Sequence, residues 1–249
     1  MTLNKPLLSL ILPVHNQETI IEPVVNQIKS VLVKNKIKFE LILVENGSKD
    51  KTRSVIKKIV EKDRRLRMFI SPKGYGSAVI KGLSMAKGIY VGYMPSDGQI
   101  DPDVLPILIS KIRKGNLDMV KIKRATRENV KRLVQSKVFN ILANFILGSQ
   151  PVSDINGSPR VFHNKHLPTL KLTYTDSFID TELTHKIKHL KWIVHEHPTP
   201  TLPRAGGKST VSILTVFEFI QNLLYYRFSD EFENWKKELH LSSNSHKNR

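Results

Sequence analysis

The sequence predicts an α/β fold, a mostly parallel β-sheet flanked by helices on both faces, with amphipathic helices gathered in the C-terminal half. Three observations lead there. Short β-branched runs alternate with amphipathic stretches through the first half of the 249-residue chain, the rhythm of βαβ units. Polar clusters follow the strand-like runs in phase, where the loops of an open parallel sheet converge. In the second half apolar residues recur at helical spacing.

The elements follow in order. Leu8 to Val14, Phe39 to Val44 and Leu66 to Ile70 read as strands, with amphipathic helices over Glu18 to Val33 and Lys51 to Glu61 between them. Ser77 to Ala86 and Pro102 to Ile112 read as further helices, Gly88 to Met94 and Leu117 to Ile122 as further strands. Beyond these the pattern is less regular: a long stretch from Glu128 to Leu147, a polar loop around Asp154, and a helix from Ser177 to His189. A short strand from Trp192 to His195 leads into a Pro- and Gly-rich loop over Pro198 to Gly207, then an apolar helix from Val211 to Tyr226. One domain is expected over residues 1–228, with 229–249 a polar, partly disordered extension.

Composition narrows the function. Hydrophobic residues are 40% and charged residues 25%, as in globular proteins. Forty Lys and Arg against 22 Asp and Glu give a formal charge of +18, which calls for an anionic partner. The absence of cysteine excludes disulfides, thiolate zinc sites and cysteine nucleophiles. No apolar run reaches the roughly 20 residues that span a bilayer, and no signal-peptide pattern opens the chain, so a cytoplasmic location is expected. Nucleic acid is not the expected partner, because neither aromatic clustering nor a recognised binding motif accompanies the charge.

Three polar clusters mark the candidate crevice: His15, Asn16 and Glu18 after the first strand, Glu45, Asn46 and Ser48 after the second, and Ser96, Asp97 and Gln99 after the fourth. Glu45, at a strand end, is placed either to accept hydrogen bonds from a base or ribose or to pair with a nearby Lys. Gly74 and Gly76 suit a tight turn and close helix packing. Gly207-Lys-Ser209 ends like a P-loop, but Leu202 stands where the first glycine is required. Gly74-Tyr-Gly76 lacks the third glycine of a dinucleotide fingerprint, and His185 and His189 lack the glutamate of a zinc protease.

These residues carry a resemblance to the family-2 glycosyltransferases of the GT-A, Rossmann-like fold, and among them to the dolichyl-phosphate (polyprenyl-phosphate) mannose synthase-like enzymes. Ser9-Leu-Ile-Leu-Pro-Val-His-Asn16 resembles the opening strand and loop, and Ile42-Leu-Val-Glu-Asn-Gly-Ser-Lys-Asp-Lys-Thr52 the base-and-ribose segment. Lys73-Gly-Tyr-Gly-Ser-Ala78 resembles the small-residue turn into a helix, and Met94-Pro-Ser-Asp-Gly-Gln99 the metal-binding segment. Lys123-Arg-Ala-Thr-Arg127, Arg132 with Ser136, Asp154-Ile-Asn-Gly-Ser-Pro-Arg160, Asp180-Thr-Glu182 and Arg204-Ala-Gly-Gly-Lys-Ser209 continue the similarity in order.

The resemblance implies an inverting transfer of a hexose from a GDP- or UDP-sugar to a polyprenyl phosphate at the cytosolic face of a membrane. It implies a nucleotide-sugar site at Pro13, His15, Asn16, Glu18, Glu45, Asn46, Gly47, Ser48, Lys73, Gly74, Ser96, Asp97, Arg204 and Lys208. Arg124, Arg132 and Ser136 match positions associated with the acceptor phosphate, and Asp154 joins them as a residue that contacts the sugar, orients Arg160 or caps its loop. Asp97 and Gln99 supply hard oxygen ligands for Mg2+ or Mn2+, but Pro95 stands where the family pattern has its first acid. The stripes Val130, Val134, Val138, Ile141, Phe145 and Ile213, Val216, Phe217, Ile220, Leu224 fit a core or a peripheral membrane contact equally, and a separate membrane subunit is the other way to reach the bilayer. The alternatives are a hydroxyl acceptor on a growing glycan, or a nonenzymatic nucleotide-sugar-binding scaffold.

Overall fold

The computed structural model describes residues 5–125, 130–203 and 213–247. Its strands are β1 (Leu8–Val14), β2 (Phe39–Glu45), β3 (Leu66–Ile70), β4 (Tyr90–Tyr93), β5 (Met119–Arg124), β6 (Arg160–His163) and β7 (Val194–Thr199). They form one sheet in the order β3-β2-β1-β4-β6-β5-β7. All neighbouring pairs are parallel except those of β6, which runs antiparallel between β4 and β5. The helices are α1 (Ile21–Lys34), α2 (Thr52–Glu61), α3 (Tyr75–Ser84), α4 (Val104–Lys114), α5 (Val130–Leu147), the short α6 (Leu167–Leu170), α7 (Ile179–His189), α8 (Ile213–Phe228) and α9 (Glu231–Lys247).

Strand alternation distributes the core. Leu10 and Leu12 of β1 point to one face, where they join Ile28 of α1, Ile56 of α2 and Leu105 of α4. Ile11 points to the other, with Val79 of α3 and Ile179 and Leu183 of α7. A third cluster packs Ala143 and Leu147 of α5 against Phe219 and Leu223 of α8 and Phe178 before α7.

The register brings strand ends to one edge, pairing Val14 with Glu45 and Glu45 with Ile70. The chain steps outward from β1 to β2 and β3, then crosses to β4 on the other side of β1. This reversal is the switch point at which open α/β sheets form a ligand crevice. Pro13 helps to open it. The β1–β4 pairing ends at Ile11 and Tyr93, so the missing N–H of Pro13 breaks no ladder bond there, and its carbonyl accepts the Ser96 hydroxyl at 2.5 Å.

Four differences from the sequence expectation have physical causes. Arg160–His163, to which the sequence pattern assigns no element, is a strand, because partners on both sides complete a run of four residues. The last strand runs on through Pro198 to Thr199, which is tolerated because β7 is an edge. The short helix Leu167–Leu170 was not anticipated. Finally, Glu231–Lys247 is helical, where a polar extension was expected. Phe232 and Trp235 are buried in the third cluster with Leu239 packed against it, and the Trp235 indole donates to the Thr169 carbonyl at 2.9 Å. The spacing i, i+3, i+7 was hidden by a polar average.

Gly74 and Gly76 are packing residues. A Cβ on Gly76 would strike the Tyr174 carbonyl and lie 2.7 Å from the Asp176 carbonyl, while one on Gly74, at φ +148°, would strike the Thr175 carbonyl. This close approach lets Ser77 N donate to Thr175 O at 2.9 Å. Gly76→Ala is expected to cost about 1–3 kcal/mol by overpacking against main chain. A thermal melt should fall by roughly 2–4 °C per kcal/mol for a chain of this size, and an unchanged midpoint would contradict the account.

Candidate active site

The loops after β1 and β2 are woven together. Asn16, at φ +50°, accepts from Lys49 N through Oδ1 at 2.8 Å while its own N–H donates to Ser48 Oγ at 3.0 Å. Glu18 Oε2 accepts from Lys51 N at 2.7 Å. The His15 Nδ1 contact to the Asn46 carbonyl, 3.0 Å, requires Nδ1 to carry the proton, which leaves Nε2 to accept from Asn16 Nδ2 at 3.2 Å. Asn16, Glu18 and Ser48 therefore serve first as loop ties.

Glu45 is 4% exposed at the end of β2. One oxygen accepts from Ser48 N at 2.5 Å; no ion pair to a Lys forms among the described residues. Gly47, at φ +78°, lets Lys73 approach, its Cβ 3.1 Å from where a Gly47 Cβ would stand. Glu45, Asn46, Gly47 and Lys73 thus share one wall of the crevice.

The opposite wall is the turn after β4. Ser96 is buried, its hydroxyl 2.5 Å from the Pro13 carbonyl and 2.7 Å from Gln17 Oε1, which fixes the turn to β1. Asp97 is half-buried, with Oδ1 accepting from Gln99 N at 3.2 Å across Gly98 at φ +74°. The Gln99 carbonyl accepts from Leu202 N at 2.8 Å, so the segment after β7 begins beside this turn. Among the described residues no three His, Asp or Glu side chains cluster as a metal site. The donors are one carboxylate and one amide, a set suited to an ion that keeps waters and takes substrate oxygens.

Beyond β4, Arg124 at the end of β5 meets Asp154. Arg124 Nε and Nη2 donate to the two carboxylate oxygens at 2.8 and 2.6 Å, and Arg124 N adds a third bond at 3.0 Å. Burial alone would raise the Asp154 carboxyl, but these bonds and the charges of Arg124 and Lys121 hold it well below the usual carboxylate range. Asp154 therefore orients Arg124, not Arg160. Arg160 instead donates to the carbonyls of Ile155 and Gly157 at 3.0 Å each and pairs with Asp180 at 3.2 Å. Arg132 and Ser136 fall within α5; their side chains, and Arg204 and Lys208 entirely, lie outside the described residues.

Several buried polar residues carried no role in the sequence reading. Lys121 and Arg160 are both 0% exposed, and Tyr93 OH donates to Asp180 at 2.8 Å. Glu182 accepts the N–H groups of Thr173 and Tyr174 at 3.0 Å, holding the turn that covers Gly74 and Gly76. The available signal was Asp180-Thr-Glu182, two acids in a helix that is otherwise basic at its end. Two other concavities lie elsewhere, one of about 950 Å3 at the amino ends of the strands and one of about 670 Å3 beside β3. Neither contains a crevice residue, and the switch point outweighs their size because open α/β sheets bind ligands outside the carboxyl ends of their strands, where the chain reverses direction.

Comparison with known proteins agrees with this geometry. The profile described as "Glycosyl transferase family 2" matches residues 9–169. A Haemophilus influenzae protein described only as an uncharacterized glycosyltransferase is 36% identical over 120 residues, 47% of this chain and 46% of its own length. A dodecaprenyl-phosphate galacturonate synthase of Rhizobium johnstonii is 30% identical over 144 residues, 57% of this chain and 42% of the relative. The matched region is thus less than half the length of either relative. Glucosyl-3-phosphoglycerate synthase of Mycobacterium tuberculosis, solved with Mn2+, UDP and glucosyl-3-phosphoglycerate, superposes with a TM-score of 0.68 at 20% identity, over 89% of this chain and 80% of that one. The same enzyme with Mg2+ and UDP gives 0.70 at 19% identity, over 89% and 79%. The fold is the GT-A, Rossmann-like architecture, and the chain belongs to glycosyl transferase family 2.

Proposed function

We propose that this glycosyltransferase moves a hexose from a GDP- or UDP-sugar to a polyprenyl phosphate at the cytosolic face of a membrane, inverting the anomeric carbon. One juxtaposition carries the reading: the loop whose Asp154 holds the Arg124 guanidinium is tied to a helix that exposes apolar side chains. Val138, Ile141 and Phe145 of α5 are 46%, 65% and 87% exposed. On the contacting α8, Leu224, Tyr225 and Phe228 are exposed too. Asn140 ties α5 to the Asp154 loop through Ser153 O at 3.1 Å and Ile155 N at 3.3 Å. A phosphate head at Arg124 would therefore leave its prenyl tail alongside α5. The Rhizobium relative, named for a dodecaprenyl-phosphate product, supports the acceptor, and the UDP-bound mycobacterial structures support a nucleotide donor. No helix among the described residues is long and apolar enough to cross a membrane; in this reading the contact is peripheral or made through a separate membrane subunit.

The chemistry needs little from a base. A phosphate monoester has its second pKa near about 6 and is anionic at neutral pH. One of its oxygens attacks the anomeric carbon while the bond to the diphosphate breaks and the nucleoside diphosphate leaves. Asp154, held ionised and doubly bonded to Arg124, is unsuited to take a proton from a hydroxyl, which weighs against a glycan acceptor. Arg124 contributes charge and a fork matched to phosphate oxygens, with Arg132 and Ser136 as its proposed companions and Arg204 and Lys208 as cations for the donor diphosphate. Glu45, Asn46 and Lys73 form the nucleotide wall. Asp97, with Gln99, would hold Mg2+ or Mn2+, whose charge offsets that of the leaving diphosphate.

Vesicle binding tests the carrying observation. Ile141→Ser with Phe145→Ser should lower co-sedimentation with vesicles containing prenyl phosphate by about tenfold or more, since each buried side chain contributes about 1.5–3 kcal/mol. The melting temperature should hold, because both side chains are exposed. Equal co-sedimentation of variant and wild type would remove the support for a lipid acceptor.

A further inference from the structure

We propose that Glu196 and Lys121 are positioning residues that set the Asp154 loop and, through it, the phosphate-binding fork of Arg124. The inference rests on the acceptor reading of Arg124 given above. Lys121 on β5 pairs directly with Glu196 on the parallel β7. The two Glu196 oxygens take four donors: Ser153 N at 2.6 Å, Ser153 Oγ at 2.7 Å, Asp154 N at 3.0 Å and Lys121 Nζ at 3.4 Å. Lys121 Nζ also donates to the Asp154 carbonyl. The peptide units on both sides of Asp154 are thus clamped from below, and its carboxylate is presented to Arg124 Nε and Nη2 at 2.8 and 2.6 Å.

Neither member of the pair is placed to touch substrate. The Lys121 side chain is 0% exposed and that of Glu196 16%, and both contact the loop main chain. Gly157 closes the clamp, since a Cβ there would strike the Ile122 carbonyl and stand 2.9 Å from Lys121 Nζ. A buried cation under a loop is costly unless several partners share it. The groups acting on Lys121 are Arg160 from β6, Asp154 from the loop, Glu196 from β7 and Asp180 from α7, with Arg124 three residues on along its own strand.

This arrangement makes the clamp sensitive to pH. Burial, reinforced by the Arg160 charge, pulls the Lys121 ammonium down from 10.5 to about 8. Above that pH the amine is neutral and no longer balances Glu196, so the hold on the Asp154 loop relaxes. Stability moves the opposite way. Because the native chain binds fewer protons than the unfolded one between about pH 8 and 10.5, this group makes stability rise with pH across that window. Titration of Lys121 thus does not by itself unfold the chain in that window.

The test measures binding of farnesyl phosphate and of UDP or GDP, whichever wild type binds, to the full chain from about pH 6.5 to 9.5. Amide exchange over residues 153–157 is followed in parallel. Wild type should lose on the order of tenfold in farnesyl phosphate affinity above about pH 8, with nucleotide affinity unchanged. Lys121→Met should bind farnesyl phosphate weakly at every pH, without that decline. Glu196→Gln, which keeps the shape of the side chain, should weaken farnesyl phosphate 10- to 100-fold, roughly, and speed exchange at Ser153 and Asp154 while sparing the nucleotide. If wild type binds farnesyl phosphate and Glu196→Gln binds it equally well with unchanged exchange, the positioning role is overturned and the acceptor reading stands. If wild type binds the nucleotide but no farnesyl phosphate, the acceptor reading fails and this role falls with it.

Discussion

Arg124→Ala is expected to slow the proposed sugar transfer to prenyl phosphate by on the order of 10^2- to 10^3-fold, the usual cost of removing one aimed donor from a charge-stabilising site. The same change orphans Asp154, whose side chain is 7% exposed. The stability cost is roughly 2–4 kcal/mol, below the full figure for a buried pair because the Arg124 side chain keeps 21% of its exposure. The sign with pH follows from Asp154. Its folded pKa is depressed, so the pair's contribution is present above the unfolded value near 3.9 and lost as pH falls through the folded one. The gap in melting temperature between wild type and Arg124→Ala should be constant above about pH 5 and close in stronger acid. Arg124→Lys restores the charge without the fork and should recover stability better than rate. A Lys variant with wild-type turnover would contradict a bidentate role.

Asp97→Asn is expected to reduce transfer by a similar factor, on the order of 10^2 or more, through a different route. The amide retains an oxygen for the Gln99 N–H that now reaches Asp97 at 3.2 Å, so the turn and the melting temperature should hold. What is lost is the negative charge proposed to attract a divalent ion beside the diphosphate. Wild type should accordingly respond to a chelator and the variant should not. Turnover within about twofold of wild type would show that the basic residues carry the leaving group's charge without Asp97.

The parts legible in the sequence are those that local pattern decides. β1, β2 and β4 are each followed by a polar cluster, and because these strands are parallel neighbours their following loops lie at one edge. Pairing across sequence was not legible. Nothing near Arg160 announces a strand, since its charge is met by Asp180 on another element and its neighbours lie on β4 and β5. Lys121 and Lys123 look alike in the sequence, yet Lys121 is fully buried and Lys123 exposed, because Glu196 and the Asp154 carbonyl wait for only one of them. Helix α5 is apolar on two sides: Phe139, Leu142 and Ile146 pack with Ala143 and Leu147, while the stripe through Val138, Ile141 and Phe145 faces outward. Periodicity identifies both stripes and cannot rank them. For Asp154 the sequence offers the sugar, Arg160 or a cap of its own loop; in the structure its carboxylate accepts from Arg124, 30 residues earlier.

One crevice at the carboxyl ends of β1, β2 and β4 is proposed to receive the nucleotide diphosphate. In a crystal structure with UDP- or GDP-sugar and Mg2+, the base and ribose are expected against Glu45, Asn46 and Lys73, with the diphosphate beside Asp97. A nucleotide seated instead in the basic concavity of about 950 Å3 lined by Lys36, Lys38 and Arg64, at the opposite edge of the sheet, would contradict that placement.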